Sequence, residues 1–381
     1  MFDFKEIRKE LHKNPELSDY EKKTSSIIKK NLEFYKPDEI ITGIAGYGII
    51  AMFDSGRPGP SILLRAELDG LPINEENDFL YMSKNIGVSH SCGHDGHMSI
   101  LLGVAEKLNV EKKNFYGKIY LLFQPSEENA KGAKRVLEDP NVKSIHFDYV
   151  FGLHNLPGFK KGAIVLRRDI FAASSKGLII KLKGSSSHAG HPEDGNNPVF
   201  AMIDIIRGLS DISEEFNSLR NKSLITIIHV KLGEVSFGTS PGDGIVMATF
   251  RSIDEEIMEL MSDKSISIIE KNSNKYGLKF EINWVEIFPL LINNNSCVNI
   301  IEKSAKENKL DIVFVDEPFA WTEDFSYYTQ KFKGAFFGLG SGLNHPQLHN
   351  TNYDFPDEII PIGINIFLQI IGEITIKECK K

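Results

Sequence analysis

Lys176-Gly-Leu-Ile-Ile-Lys-Leu-Lys183 reads as a short strand, and it opens the part of the chain that decides the fold. After it the spacing of apolar residues predicts a helix over 196–217, strands over 224–232 and 245–252, a long helix over 254–275 and a strand over 278–286. With 176–183 as the first strand, this order is a βαββαβ unit. Such a unit is a self-contained sandwich of one sheet and two helices, so residues 174–288 are expected to form an inserted domain of ferredoxin-like type.

On both sides the pattern changes to alternating α and β. Upstream, helices are expected over 3–12 and 20–35, broken at Asn14-Pro15, with strands at 47–53, 61–67, 118–123 and 147–154 and a helix at 97–108. Downstream come a helix at 296–308, a strand at 312–315, a helix at 322–330, a strand at 334–339 and a final helix at 358–376. Residues 1–173 and 289–381 are therefore expected to make one α/β domain with a mixed, largely covered sheet, into which 174–288 is inserted.

A chain of 381 residues exceeds one comfortable hydrophobic core, which agrees with two domains. Hydrophobic residues at 41% and charged residues at 25% describe an ordinary globular protein. The net charge of -8, with Lys and Arg scattered, offers no footprint for nucleic acid or an anionic membrane. The N-terminal residues turn amphipathic at once and carry no export signal, and no apolar run approaches the ~18 residues of a spanning helix. Three cysteines, Cys92, Cys297 and Cys379, are too few for a disulfide framework, so a reducing cytoplasm is expected.

Candidate chemistry gathers in four places, each at or beyond the end of an expected strand: Ser-His-Ser-Cys-Gly-His-Asp-Gly-His at 89–97, Gln-Pro-Ser-Glu-Glu at 124–128, Phe-Gly-Leu-His at 151–154 and Gln-Leu-His-Asn at 347–350. Strand ends are where an α/β sheet collects its ligands. Cys92 and His94 offer a thiolate and an imidazole suited to zinc or another borderline-soft divalent ion. A plain loop histidine beside a buried thiol is the alternative, but three imidazoles, a thiol and a carboxylate within eight residues are hard to justify by packing.

Glu127 and Glu128 would point opposite ways in an extended segment, so that one ligates while its neighbour faces an activated water. A metal lowers the pKa of its water, and the free carboxylate takes the proton and later hands it to a leaving amine. The bland reading is a solvated acidic loop. His154 and His349 are candidate third and fourth ligands. Asp69 is placed to orient a ligand imidazole unless it merely caps the turn at Gly70. His188, in the inserted domain, would serve best by stabilising an oxyanion, unless it is only a loop histidine.

These motifs resemble the M20 family of metallopeptidases and amidohydrolases, in the branch of hippurate hydrolases, N-acetyl-diaminopimelate deacetylases and auxin-conjugate hydrolases. The resemblance runs nearly end to end: Leu-His-Lys-Asn-Pro-Glu-Leu at 11–17, Leu-Arg-Ala-Glu-Leu-Asp-Gly-Leu-Pro-Ile at 64–73, Cys-Gly-His-Asp-Gly-His at 92–97, Phe-Gln-Pro-Ser-Glu-Glu at 123–128 and Glu-Asp-Phe-Ser-Tyr-Tyr at 323–328.

It implies two divalent metal ions held by Cys92, His94, Glu128, His154 and His349, with Glu127 as general base and Asp69 in support. Zinc, manganese, nickel and cobalt all suit the mixed ligand set. The resemblance further implies hydrolysis of a small N-acyl amino acid or short amide, with 1–173 and 289–381 as the catalytic domain and 174–288 as a lid. It implies a homodimer through that lid, His188 reaching over the substrate from a partner subunit, and Arg251 on the substrate. His345 rivals His349, but the His-x-x-x-Tyr spacing to Tyr353 favours the latter. One departure stands out: Gly238-Thr239-Ser240-Pro241-Gly242 replaces the family's Asn-Val-Ile-Pro-Asp, although Thr249 and Arg251 keep the pattern. A dipeptidase is the nearest rival function, a non-catalytic metal-dependent binding protein another, and a cysteine hydrolase using Cys92 a third.

Overall fold

The strand Ser61–Glu67 runs between two parallel neighbours, Lys118–Gln124 and Tyr149–Pro157, and all three are buried along nearly their whole length. Continuous apolar runs of this kind form strands that are covered on both faces. A computed structural model, which describes residues 3–217 and 223–378, places them at the centre of an eight-stranded mixed sheet. Its order is Glu39–Ile44, Gly48–Asp54, Lys118–Gln124, Ser61–Glu67, Tyr149–Pro157, Gly334–Gly342, Ile164–Leu166 and Ile312–Phe314. Gly48–Asp54 joins antiparallel on one side, and Gly334–Gly342 extends the parallel block on the other.

Helices Phe4–His12, Lys22–Tyr35, His94–Val110, Asn295–Glu307 and Ile360–Glu378 supply the rest of this core. His94–Val110 and Ile360–Glu378 approach closely because each offers a glycine. A Cβ on Gly103 would meet Ile364 at 2.2 Å, and one on Gly363 would meet Ile100 at 2.5 Å. The segment 357–375 is the one stretch among the described residues long and apolar enough to cross a membrane, and rather more than half of it is buried in this core.

Contacts divide the chain into two compact units: residues up to Phe171 with Leu291–Glu317 and those from Glu323 onward, and Ala172–Leu290 with Pro318–Thr322. The second unit has strands Ser174–Lys183, Leu224–Leu232, Asp243–Ser252 and Lys279–Phe288 and helices Val199–Asn217 and Glu255–Lys275. Its sheet is wholly antiparallel, and counted in chain order its strands lie 2-3-1-4, the ferredoxin-like arrangement. Buried and half-buried residues alternate along Asp243–Ser252 after the exposed Asp243, as they do when one face packs more fully than the other. The short piece 318–322 belongs here because Phe319 pairs with Ala172 and its carbonyl accepts the Ala173 amide at 3.0 Å.

Of the expected elements that shift, three bear on the candidate site. The helix expected from 97 begins at His94, so the ligand motif forms its first turn. The strand expected to end at His154 continues to Pro157. The helix expected from 322 begins at Ser326, because Glu323 and Asp324 are drawn inward to Arg65.

The N-terminal helix is fastened by charge. Arg8, fully buried, bonds Asp354 at 2.6 Å and Asp357 at 2.8 Å and lies 3.6 Å from Asp95. His12 lies between Asp95 at 2.8 Å and Glu75 at 3.1 Å. Burial works against the His12 cation, but the two carboxylates outweigh it and carry the ring up to about 9. A folded pKa above the unfolded ~6.5 contributes stability that is complete below that value and lost as pH rises through the folded one. In the metal-loaded protein, unfolding free energy should therefore fall by roughly 3 kcal/mol between pH 6.5 and 10 from this group. Urea unfolding at several pH values should show His12→Gln less stable at pH 6.5 and flatter above it; an unchanged slope would rule out His12 as the source.

Candidate metal centre

Each candidate donor is fixed by a local feature of its own segment. Gly93, between Cys92 and His94, has φ +87 and would drive a Cβ to 2.5 Å from the Asn155 amide. Only glycine fits both the backbone and the space. Glu127 and Glu128 do not lie in an extended segment, as their position after a strand suggests; Ser126 at φ +57 turns the chain, and the Ala130 amide closes a turn on the Glu127 carbonyl at 2.9 Å. His349 also has a left-handed backbone, φ +66, and its amide donates to the Ser91 carbonyl at 2.9 Å, which pins its loop to the cysteine segment.

The five expected ligands come together. Donor atoms of Cys92, His94 and His154 lie within 4.8 Å of one another, as do those of Cys92, Glu128 and His349, and those of His94, Glu127 and Glu128. Cys92 Sγ is 3.3 Å from His154 Nε2, and His94 Nε2 is 3.8 Å from Glu128 Oε1. His94 Nδ1 donates to the Asp69 carbonyl at 2.8 Å and His154 Nδ1 to the Asn155 carbonyl at 2.9 Å, so both rings turn Nε2 toward the centre. Asp69 thus orients His94 chiefly through its backbone, its carboxylate standing at 3.7 Å. That carboxylate accepts the Glu128 amide at 3.0 Å and the Ser18 hydroxyl at 2.7 Å.

Burial dominates the electrostatics. It pushes the Glu127 carboxyl well up, helped by Glu323, Glu128 and Asp324, and brings Glu128 up to about 7. It raises the Cys92 thiol and holds His154 well below the usual imidazole range, the latter helped by His97. His94 goes the other way: burial opposes its charge, but Asp69, Glu67 and Glu128 lift it to about 10. His94 Nε2 and Glu128 Oε1 are buried with no hydrogen-bond partner among the described residues. Orphaned donors of this kind are costly unless something else satisfies them. A thiol, imidazoles and carboxylates converging in that state fit a divalent cation, whose charge would favour the carboxylates and thiolate as anions and the imidazoles as neutral ligands.

Other predicted residues sit elsewhere. His345, the rival ligand, donates Nε2 to the Asp354 carbonyl at 2.7 Å and meets the Tyr353 ring edge-on, so it is occupied holding the loop. His188 lies in the second unit, exposed, on a two-residue strand that pairs with Thr239–Ser240, inside the segment that departs from the family motif. Its Nδ1 accepts the Gly190 amide at 3.0 Å. Arg251, in the same unit, donates to the Ala320 carbonyl at 2.8 Å. Cys297 is buried and free, and Cys379 lies outside the described residues.

A set of buried polar residues behind the donors escaped the sequence reading. Arg65 contacts Glu67, Glu323 at 2.8 Å and Asp324 at 2.5 Å; Glu67 accepts from His97 Nδ1 at 2.6 Å. The signal was Arg65 and Glu67 two apart, hence on one face, in an otherwise apolar strand.

Comparison with known proteins agrees with this geometry. The family model described as "Peptidase family M20/M25/M40" matches residues 63–373. An N-acetyl-L-cysteine deacetylase of Bacillus subtilis is 32% identical, covering 90% of this chain and 81% of that protein. A hippurate hydrolase of Campylobacter jejuni is 30% identical, covering 97% of this chain and 95% of its own length. Among solved structures, a dinuclear metal-binding M20 peptidase of Bacillus subtilis superposes with a TM-score of 0.81 at 26% identity, covering 98% of this chain and 97% of that one. With converging donors and a family match over most of its length, this chain belongs to the M20 family of metal-dependent hydrolases.

Proposed function

We propose that this protein hydrolyses the amide bond of N-acyl amino acids with two divalent ions, held by Cys92, His94, Glu128, His154 and His349. The observation that carries the reading is a pair of donor triads sharing Cys92, with the Glu127 carboxylate beside them and free of hydrogen bonds from described residues. A shared thiolate suits two ions rather than one. Zinc, manganese, nickel or cobalt matches such a donor set. When bound, the ions supply Lewis acidity toward water and toward the scissile carbonyl.

Glu127 takes a proton from the attacking water as its oxygen bonds to the carbonyl carbon. It returns that proton to the amide nitrogen as the carbon–nitrogen bond breaks, releasing a carboxylate and an amine. Burial among Glu323, Glu128 and Asp324 favours the protonated form of Glu127, while the bound ions would favour its carboxylate, so that it can both take and return the proton. Asp69 keeps His94 and Glu128 in place. The partner's His188 braces the developing oxyanion, and Arg251 takes the free carboxylate of the substrate.

In this reading residues 174–288 are the lid and the dimer contact. The strand Leu224–Leu232 is an edge of its sheet and bares Ile228 and Val230. The names of the relatives turn the choice toward N-acetyl and N-benzoyl amino acids. The altered segment 238–242 pairs directly with the strand of His188, so acyl preference is set apart from the metal chemistry. Free, buried Cys92 and Cys297 fit a reducing cytoplasm.

Amine release from N-acetyl amino acids, N-benzoyl amino acids and dipeptides, with manganese or zinc restored, tests the activity. Glu127→Gln should lower kcat by about 10²- to 10⁴-fold while metal content and melting temperature stay native; undiminished turnover would remove Glu127 from the mechanism, and turnover of dipeptides alone would make the protein a dipeptidase. EDTA should abolish activity and lower the melting temperature, since an ion bound only by the folded state stabilises it. Light scattering during gel filtration should give twice the chain mass; a single-chain mass would refute the dimer.

A further inference from the structure

In the segment Ser18–Glu21, just before the helix Lys22–Tyr35, the side chains of Ser18, Asp19 and Glu21 reach the loops that carry the proposed donors. The Ser18 hydroxyl donates to Asp69 Oδ2, the oxygen that also accepts the Glu128 amide. Asp19 accepts from the Asn129 side chain at 3.1 Å, and its amide donates to Ser126 Oγ at 3.0 Å. The Ser126 hydroxyl in turn lies 3.1 Å from Asp19 Oδ1 and 3.2 Å from Glu21 Oε1. The Ser126 amide donates to Glu21 Oε1 at 2.7 Å.

Glu21 occupies an unfavourable position for a carboxylate. It is fully buried, its Oε2 has no hydrogen-bond partner among the described residues, and burial with the nearby Asp69 carboxylate pushes it up to about 7. It stands at the N-cap of Lys22–Tyr35, where a short side chain such as Asp or Ser ordinarily accepts an amide of the first helical turn, and its carboxylate makes no capping bond. Glu16 does so instead, taking the Thr24 amide at 2.8 Å and the Thr24 hydroxyl at 2.9 Å. A side chain withdrawn from its own helix, desolvated and given to a remote amide is held there by tertiary structure.

What it holds is a strained residue. Ser126 at φ +57 costs about 1 kcal/mol in a left-handed backbone, and it is followed directly by Glu127 and Glu128. Every polar group of Ser126 on its amide and hydroxyl side is met by Asp19 or Glu21.

We propose that Ser18, Asp19 and Glu21 are positioning residues: they clamp Ser126 in its left-handed turn and hold Asp69 against the Glu128 amide, so that Glu128 faces the ions while Glu127 faces the water. The inference rests on the roles assigned to Glu127 and Glu128 above. Residues that orient ligands in this way cost about 10- to 100-fold in metal affinity or rate when removed.

Cobalt titration of the full-length protein, followed by the thiolate-to-cobalt absorption band, reads the metal site without turnover; kcat and KM are measured beside it. Glu21→Ala should weaken cobalt binding or lower kcat by about 10- to 100-fold with KM little changed, while Glu21→Gln, which keeps the acceptor for the Ser126 amide, stays near native. Asp19→Gly, on a partly exposed loop and compatible with a positive φ, should shift the same quantities in the same direction and decides the matter if Glu21→Ala does not fold. Native cobalt affinity and native kcat in folded Glu21→Ala and Asp19→Gly would overturn the clamp. Absence of the band in the native protein would overturn the metal reading and the clamp together, whereas cobalt binding without hydrolysis of any N-acyl amino acid would fell only the substrate reading and leave the cobalt affinities to decide.

Discussion

A guanidinium without access to water organises this fold. Arg65 lies in a central strand, and Glu67, Glu323, Asp324 and Gln124 all turn to it. Isolated charges at such depth cost several kcal/mol each, so acidic residues there are held wherever the one cation can reach them. This is why Glu323 and Asp324 leave the helical path their sequence suggests: Asp324 also accepts the Ala133 amide at 2.9 Å and the Gln124 amide at 2.8 Å, and Tyr328 donates to Gln124 at 2.9 Å. Segments some two hundred residues apart are joined by this one network.

From Arg65 the polar chain runs on to the donors. Glu67 holds His97, whose Nε2 accepts the Asn155 amide at 3.2 Å, and the Asn155 side chain donates to the Tyr353 hydroxyl at 2.5 Å. Tyr353 lies at the end of the loop that carries His349. The ends of three parallel strands and this loop are thereby set in one frame, where an α/β sheet gathers its chemistry. The carboxylates nevertheless outnumber the one guanidinium, and the surplus surrounds the place where donors converge. Burial first, and these neighbouring carboxylates second, raise Glu127 and Glu128, an imbalance that divalent cations on the proposed donors would relieve.

Much of this was legible before any coordinates. The helices at 4–12, 22–35 and 255–275 follow a helical period, and the strands at 61–67 and 118–124 are short continuous apolar runs, both plain in the local sequence. The short strands Glu39–Ile44 and Ile164–Leu166 were not legible, since six or three residues carry no distinctive period and pair only because a sheet edge already stands beside them. The donor residues were legible as types, because thiol, imidazole and carboxylate seldom crowd so closely without chemistry. Their supporting residues were not: Glu21 falls inside the helix expected over 20–35, and Asp324 inside the one expected over 322–330.

The sequence by itself determined the two kinds of domain and singled out the five candidate donors and the candidate base, for these depend on residue type and local spacing. Only the tertiary structure decided that His345 serves the loop while His349 joins the donors, that Asp69 holds His94 through a carbonyl, and that Glu127 and Glu128 sit on a turn. Each of these rests on a backbone angle or a hydrogen bond between segments distant in the chain. Such contacts form only when burial removes water as the competing partner, and no local pattern records which partner will then be nearest.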